Sequence, residues 1–254
     1  NPGETERLHQ KWNRIIMDDL CGKKRYSRHG YEDICRGLVQ DFDCMPLRDE
    51  PRRPRVGIVG EILVKYMPLA NNHLAERLES EGAEVCIPDL MDFLCYAAYN
   101  QDFKHDHLGK SGLYKLAGHA GLKLYAWLRA PARRALEESQ RFEPWMELDE
   151  IAKLAEQVLS VGNQYGEGWF LTGEMAELIQ SGYENIVCIQ PFACLPNHVV
   201  GKGVIKEMKR LYPQANIVAV DFDPGASEVN QLNRIRLMLS TARKKVEAER
   251  KNLA

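Results

Sequence analysis

This chain of 254 residues is defined first by what it lacks. No apolar run approaches the ~20 residues that span a bilayer. The net charge is only −2, and 34 basic and 36 acidic residues are spread along the chain, so no basic stripe suggests a nucleic-acid partner. The seven cysteines (21, 35, 44, 86, 95, 188 and 194) are odd in number and include no C-x-x-C pair. That pattern argues against a secreted disulfide scaffold and for reduced thiols in a cytoplasm. The opening Asn-Pro-Gly-Glu-Thr-Glu-Arg shows no signal-peptide pattern. It also lacks a methionine, so the chain is expected to be a processed product or a piece of a longer polypeptide. Also missing are G-x-S-x-G, H-E-x-x-H and G-x-G-x-x-G, which removes the commonest hydrolase, zinc-protease and dinucleotide readings.

What is present is a globular composition, 44% hydrophobic and 28% charged, with alternating strand and helix signals. Leu8, Trp12, Ile15, Ile16 and Leu20 recur at helical spacing, so 4–21 and 31–44 read as an amphipathic pair, an N-terminal helical segment over 1–48. Arg48 to Arg55, with two prolines and four arginines, reads as a linker. An α/β domain over 55–254 follows. Its first βαβ unit is a strand at Val56–Val59, a helix at Ala70–Glu81 and a strand at Ala83–Ile87. A helical insertion over about 91–182, with Trp127, Trp145 and Trp169, is longer than an ordinary crossover. Strands resume at 185–190 and 216–221, and Ser227-Glu228 starts the last helix. The expected fold is an open, doubly wound α/β sheet of about four parallel strands with helices on both faces.

In such a sheet the loops after the carboxyl ends of the strands bind ligands. Here those loops carry Glu61, Asp89, Cys194 and the pair Asp221 and Asp223. Cys194, flanked by Pro191 and Pro196 and ahead of a helix start, is the leading candidate for chemistry; isolated cysteines are more often structural. Cys86, Cys95 and Cys188 lie in apolar runs, where a thiol behaves as a small hydrophobe. Asn197-His198 reads first as a plain helix start, with His198 as the one local base for a cysteine enzyme. Gly201-Lys202-Gly203 lacks Walker spacing. His105-Asp106-His107 is placed in an exposed loop without a third metal ligand. Glu61, with Lys65, Tyr66, Asn71 and Asn72 after it, forms a polar segment suited to a headgroup or to turns.

Three stretches carry a family likeness: Val-Gly-Ile-Val-Gly-Glu-Ile-Leu-Val-Lys-Tyr at 56–66, Gln-Pro-Phe-Ala-Cys-Leu-Pro-Asn-His at 190–198, and Asp-Pro-Gly-Ala-Ser-Glu-Val-Asn-Gln-Leu-Asn-Arg-Ile at 223–235. They resemble the 2-hydroxyacyl-CoA dehydratase superfamily, in particular the C-terminal dehydratase-like region of activase-fused proteins known as CoA-substrate-specific enzyme activases or double-cubane-cluster proteins. The likeness runs from about residue 55 onward and is weakest in the insertion. It implies an oxygen-sensitive protein of anaerobic metabolism holding a [4Fe–4S] or double-cubane cluster through cysteine thiolates, with Cys194 at the position of one ligand. It further implies low-potential electrons from an ATP-dependent activator protein or fused activase domain, and reductive lyase chemistry on an acyl-CoA. Glu61, Asn72, His198, Asp221 and Asp223 would then contact substrate or support the ligand. The implied partners include an N-terminal dehydratase-like domain and a possible homodimer. The activator's ATP-binding motifs and cluster cysteines are absent, so ATP binding is not expected of this chain, nor activity on its own. The reading from a different class is a non-redox α/β interaction or small-molecule binding module in which Cys194 is packed.

Overall fold

A computed structural model describes residues 3–22, 28–225 and 227–253. It divides into two compact units, Asn1–Glu50 with His119–Trp145, and Pro51–Gly118 with Met146–Ala254. In the first, α1 (Glu4–Leu20) and α2 (Arg28–Asp43) accompany most of the long helix α6 (Gly112–Glu137). Trp12 is the buried residue of α1. Its ring lies against Gly37, where an added Cβ would be 2.9 Å away, and its indole N–H donates to Asp41 at 3.0 Å. Arg134 of α6 pairs with Glu32 of α2 at 3.1 Å. Trp145 stacks under the Arg129 guanidinium at 3.7 Å.

The second unit holds the sheet. Its four strands are β1 (Arg55–Gly60), β2 (Glu84–Cys86), β3 (Asn185–Pro191) and β4 (Asn216–Phe222), all parallel, in the order β2-β1-β3-β4. β1 and β3 are buried along nearly their whole length, which is why they read as unbroken runs of Val, Ile and Cys. One face packs Val56, Ile58, Val187 and Ile189 against α3 (Ile62–Tyr66), α4 (Leu74–Ser80) and α11 (Glu228–Leu253). The other packs Val59, Ile186 and Cys188 against α8 (Gly168–Gln180) and the segment leading to α10 (Ile205–Leu211).

The helical insertion comprises α5 (Leu90–Leu108), α6, α7 (Leu148–Glu156) and α8. α8 is buried on nearly all sides. Gly173 lets it close on α7, because a Cβ there would lie 2.6 Å from Ile151 Cγ2. Trp169 packs among Tyr96, Tyr99 and Phe170, whereas Trp127 is half exposed. Two local expectations change. Helix α4 starts at Leu74, not Ala70, because Asn72 and His73 both adopt left-handed φ (55° and 53°) and the buried Asn71 bonds both Val64 and Leu74. His105-Asp106-His107 lies in the last turns of α5, with Gly109 as its left-handed C-cap, and not in a loop.

One buried ion pair crosses from face to face. Lys65 of α3 and Glu174 of α8 meet at 2.7 Å, with side chains 4% and 2% exposed. Burial opposes the ammonium charge, but the Glu174 carboxylate and the Tyr66 phenol more than offset it and raise the Lys65 pKa. A charge left alone at this depth costs about 3–5 kcal/mol, while replacing both partners is far cheaper. Lys65→Met should therefore lower urea stability by about 3–5 kcal/mol, and Lys65→Met combined with Glu174→Leu should recover most of the loss. A single-variant cost below about 1 kcal/mol would show that the pair is not desolvated.

Candidate functional site

Strand order reverses between β1 and β3, so the loops leaving these two strands diverge and open a crevice at their carboxyl ends. The strands approach closely there. Gly60 has φ +144°, and a Cβ on it would lie 1.8 Å from the Ile189 carbonyl oxygen. The next N–H, of Glu61, donates to that oxygen at 2.9 Å. The Glu61 carboxylate is engaged as the N-cap of α3, accepting the Val64 N–H at 2.8 Å.

On the β3 side, Ala193 takes φ +59° in the turn before Cys194, an uncommon conformation for a residue with a side chain. Cys194 is partly buried and precedes the single turn α9 (Leu195–Asn197), which runs into a π-helical turn over His198–Lys202. π-Turns are rare and recur at functional sites. Asn197 is fully buried, and its side-chain amide donates twice: to Cys194 Sγ at 3.1 Å and to the Glu167 carboxylate at 2.9 Å. The other Glu167 oxygen accepts the Ile62 N–H at 3.1 Å. A carboxylate 6% exposed thus spans the crevice, bonded to the segment after β1 and to the segment after β3. Gly166 and Gly168, both left-handed (φ +59° and +51°), make the turn that carries Glu167 inward; at Gly168 a Cβ would meet Tyr96 Oη at 2.2 Å.

Asn197 Oδ1 finds no hydrogen-bond donor among the described residues. Such a buried orphan costs about 1–3 kcal/mol. Turning the carboxamide would not help, because Oδ1 would then oppose the Glu167 carboxylate, acceptor against acceptor. Gln190 repeats the pattern at the end of β3: its Nε2 donates to Asp221 of β4 at 2.7 Å while Oε1 is unpartnered among the described residues. Lys202 completes that group at 3.3 Å from Asp221. Burial works against the Asp221 charge, but Gln190, Lys202 and nearby His198 outweigh it and hold the carboxyl below its usual range.

The structure therefore brings Cys194, Glu61 and Asp221 to one rim and adds Glu167 and Asn197 to them. His198 is adjacent, and its Nδ1 donates to the Cys194 carbonyl at 2.9 Å, which braces the turn. Asn72 donates to Gln231 of α11 at 3.2 Å, and Gln231 in turn holds the Asp221 carbonyl, so Asn72 ties α4 to α11. Asp223 is exposed and accepts the Gly225 N–H at 3.2 Å within its own turn. Cys188, on the strand that leads to Cys194, is buried, and burial pushes its thiol up to about 12; it is core. Glu167 went unread in the sequence, although Gly-Glu-Gly directly before an apolar helix was a usable signal.

Among the described residues, no three His, Cys, Asp or Glu side chains stand together as a complete metal site. The rim offers one thiol, that of Cys194. An open parallel α/β sheet with its candidate site at the switch point is the class defined by fold and site. Comparison with family models, with curated proteins and with solved structures gives no match. No helix among the described residues is long and apolar enough to cross a membrane.

Behind the crevice, α8 carries a second acid. Burial raises the Glu177 carboxyl to about 7, and Glu174 and Asp92 add to the rise. The folded chain thus binds this proton more tightly than the unfolded chain, whose carboxyl titrates near 4.5. The associated stability is fully present below that value and is lost as pH rises through about 7. Its size is on the order of 3 kcal/mol. Glu177→Gln should flatten the decline in urea stability between those two pH values; a variant as pH-dependent as the parent would assign the decline to other groups.

Proposed function

We propose that this chain is the α/β cluster-supporting part of a dehydratase-like iron–sulfur protein, to which Cys194 contributes one iron-ligating thiolate. The observation that carries this reading is the buried Asn197 N–H held on Sγ by Glu167: a thiolate bound to iron accepts such bonds, and they tune its cluster. The donor set fits a shared cluster and not a whole one, since a single thiolate is all this rim supplies. The remaining ligands would come from another segment or polypeptide, such as an N-terminal dehydratase-like domain or a second copy. Exposed Phe192 (71%) and Leu195 (72%) flank the thiol, with Leu63 and Val199 also exposed nearby, as suits a mouth that another apolar surface covers.

When bound, a [4Fe–4S] or double-cubane cluster supplies low-potential one-electron chemistry, here fed by an ATP-dependent activator and directed at an acyl-CoA or related substrate. This chain's own residues hold and shield the ligand. Ala193 and the π-helical turn set the thiol's direction. His198 fixes the backbone carbonyl beside it. Lys202 and Asp221 form a charged pair at the neighbouring strand end, where a substrate's polar group can be met.

Protein purified anaerobically from its natural cells, with whatever polypeptides accompany it, should show the broad visible absorption of thiolate–iron clusters. Cys194→Ser should remove or redistribute that absorption while the folded far-UV spectrum stays unchanged. An iron-free parent, or a spectrum indifferent to Cys194→Ser, rejects the reading and leaves a non-redox binding module.

A further inference from the structure

We infer that the exposed stripe of α6 is a two-fold interface through which two copies of this chain pair, helix against antiparallel helix. Leu113, Leu116, Leu124, Trp127 and Leu128 stand 50–71% exposed along this one helix. Ala117, Ala120 and Gly121 are exposed between them, and a Cβ on Gly121 would meet nothing within 4 Å. Leu113, Ala117, Ala120, Leu124 and Trp127 follow one another at intervals of four, three, four and three residues. That is the seam of a helix that packs lengthwise on another helix. The opposite side is the one its own chain covers: at Gly118 a Cβ would lie 2.8 Å from the Ala98 carbonyl of α5, and Lys115 pairs with Asp106 at 3.1 Å. The stripe runs on to Pro131 and Ala135, which are buried beside the Arg134–Glu32 ion pair. The seam is thus filled at its C-terminal end and open over the rest.

The order of the side chains selects a second copy as the occupant. Counted from Ala120, Leu116 and Leu124 lie four residues to either side, and Leu113 and Trp127 lie seven. A two-fold axis at Ala120 therefore sets Leu113 against Trp127 and Leu116 against Leu124, each twice over. Alanine and glycine fall at the crossing, where the two backbones come closest. Covering the five large side chains removes about 600 Å² per chain and about 1,200 Å² per pair, the lower limit of a specific interface. Charge then sets the strength. No acidic residue falls between Asp106 and Glu137, while Lys110, Lys115, Lys123, Arg129, Arg133 and Arg134 do. Lys123 of each copy stands beside Ala117 of the other in this arrangement, so like charges flank the seam with no acid to meet them. The pair is a weak one held by apolar contact, and added salt tightens it by screening. It requires neither iron nor Cys194.

The test is sedimentation equilibrium of the whole 254-residue chain over a range of concentrations. An interface of this size without charge pairing should dissociate at about 10 μM, leaving the chain mostly dimeric at about 100 μM and mostly monomeric at about 1 μM. Sodium chloride should shift the balance toward the dimer. Ala120→Lys sets two more like charges on the axis at an exposed position and should weaken pairing about tenfold or more, with the far-UV spectrum unchanged. Ala120→Cys reads the register. Under diamide it should form a disulfide with the same residue of a second chain, located by mass spectrometry. Ala126→Cys, exposed on the same helix but off the stripe, should not. A chain that stays monomeric at about 100 μM, a dimer indifferent to Ala120→Lys, or a 120–120 link no more frequent than one at 126 overturns the proposal. Monomers that bind vesicles of anionic phospholipid, and leave them as salt rises, also overturn it and assign the stripe to a membrane surface.

Discussion

The organisation of the crevice depends on one buried carboxylate. Parallel strands β1 and β3 lie side by side through the Glu61 N–H bond to the Ile189 carbonyl, beyond which the segments leaving them diverge. Glu167 accepts an N–H from each of them, from Ile62 and from Asn197. It reaches that point from the start of α8, through two glycines whose left-handed turns few other residues could make. The direction of the amide at Cys194, the N-terminus of α3 and the anchoring of α8 all meet at this group.

The surroundings show what such a site costs. Two further carboxyls, Glu174 and Glu177, share α8 with little solvent, one paired with Lys65 and the other pushed up to about 7 by burial. Two buried carboxamides, Gln190 at the end of β3 and Asn197 in the helical turn after it, each lack a donor for one oxygen among the described residues. Groups of this kind weaken a core and are retained where they orient something. The two carboxamides belong to the carboxyl end of β3 and the turn after it, while Ile186, Val187, Cys188 and Ile189 of that strand pack into the apolar core.

The sheet was legible because buried parallel strands leave a plain trace: Val-Gly-Ile-Val at 56–59 and Ile-Val-Cys-Ile at 186–189 admit few other readings. The strand ends were legible too, since topology alone sends Glu61, Cys194 and Asp221 to one rim. Side-chain commitments were not. Asn72 turns to α11, Asp223 to its own loop and His198 to a backbone carbonyl, and each choice depends on neighbours far apart in sequence or on a local φ. Glu167 was hidden for the same reason, being 30 residues from Asn197 and 105 from Ile62. The start of α4 moved because two consecutive left-handed residues are set by the buried Asn71 and not by helical periodicity.

The central claim, that Cys194 gives one thiolate to a cluster completed from elsewhere, is tested most directly at the sulfur itself. Native protein prepared anaerobically with selenocysteine in place of Cys194 places a distinct absorber at that atom. Selenium-edge X-ray absorption should then show iron as a directly bonded neighbour. A selenium atom surrounded only by carbon and other light atoms, in a sample that holds its iron, would contradict the account.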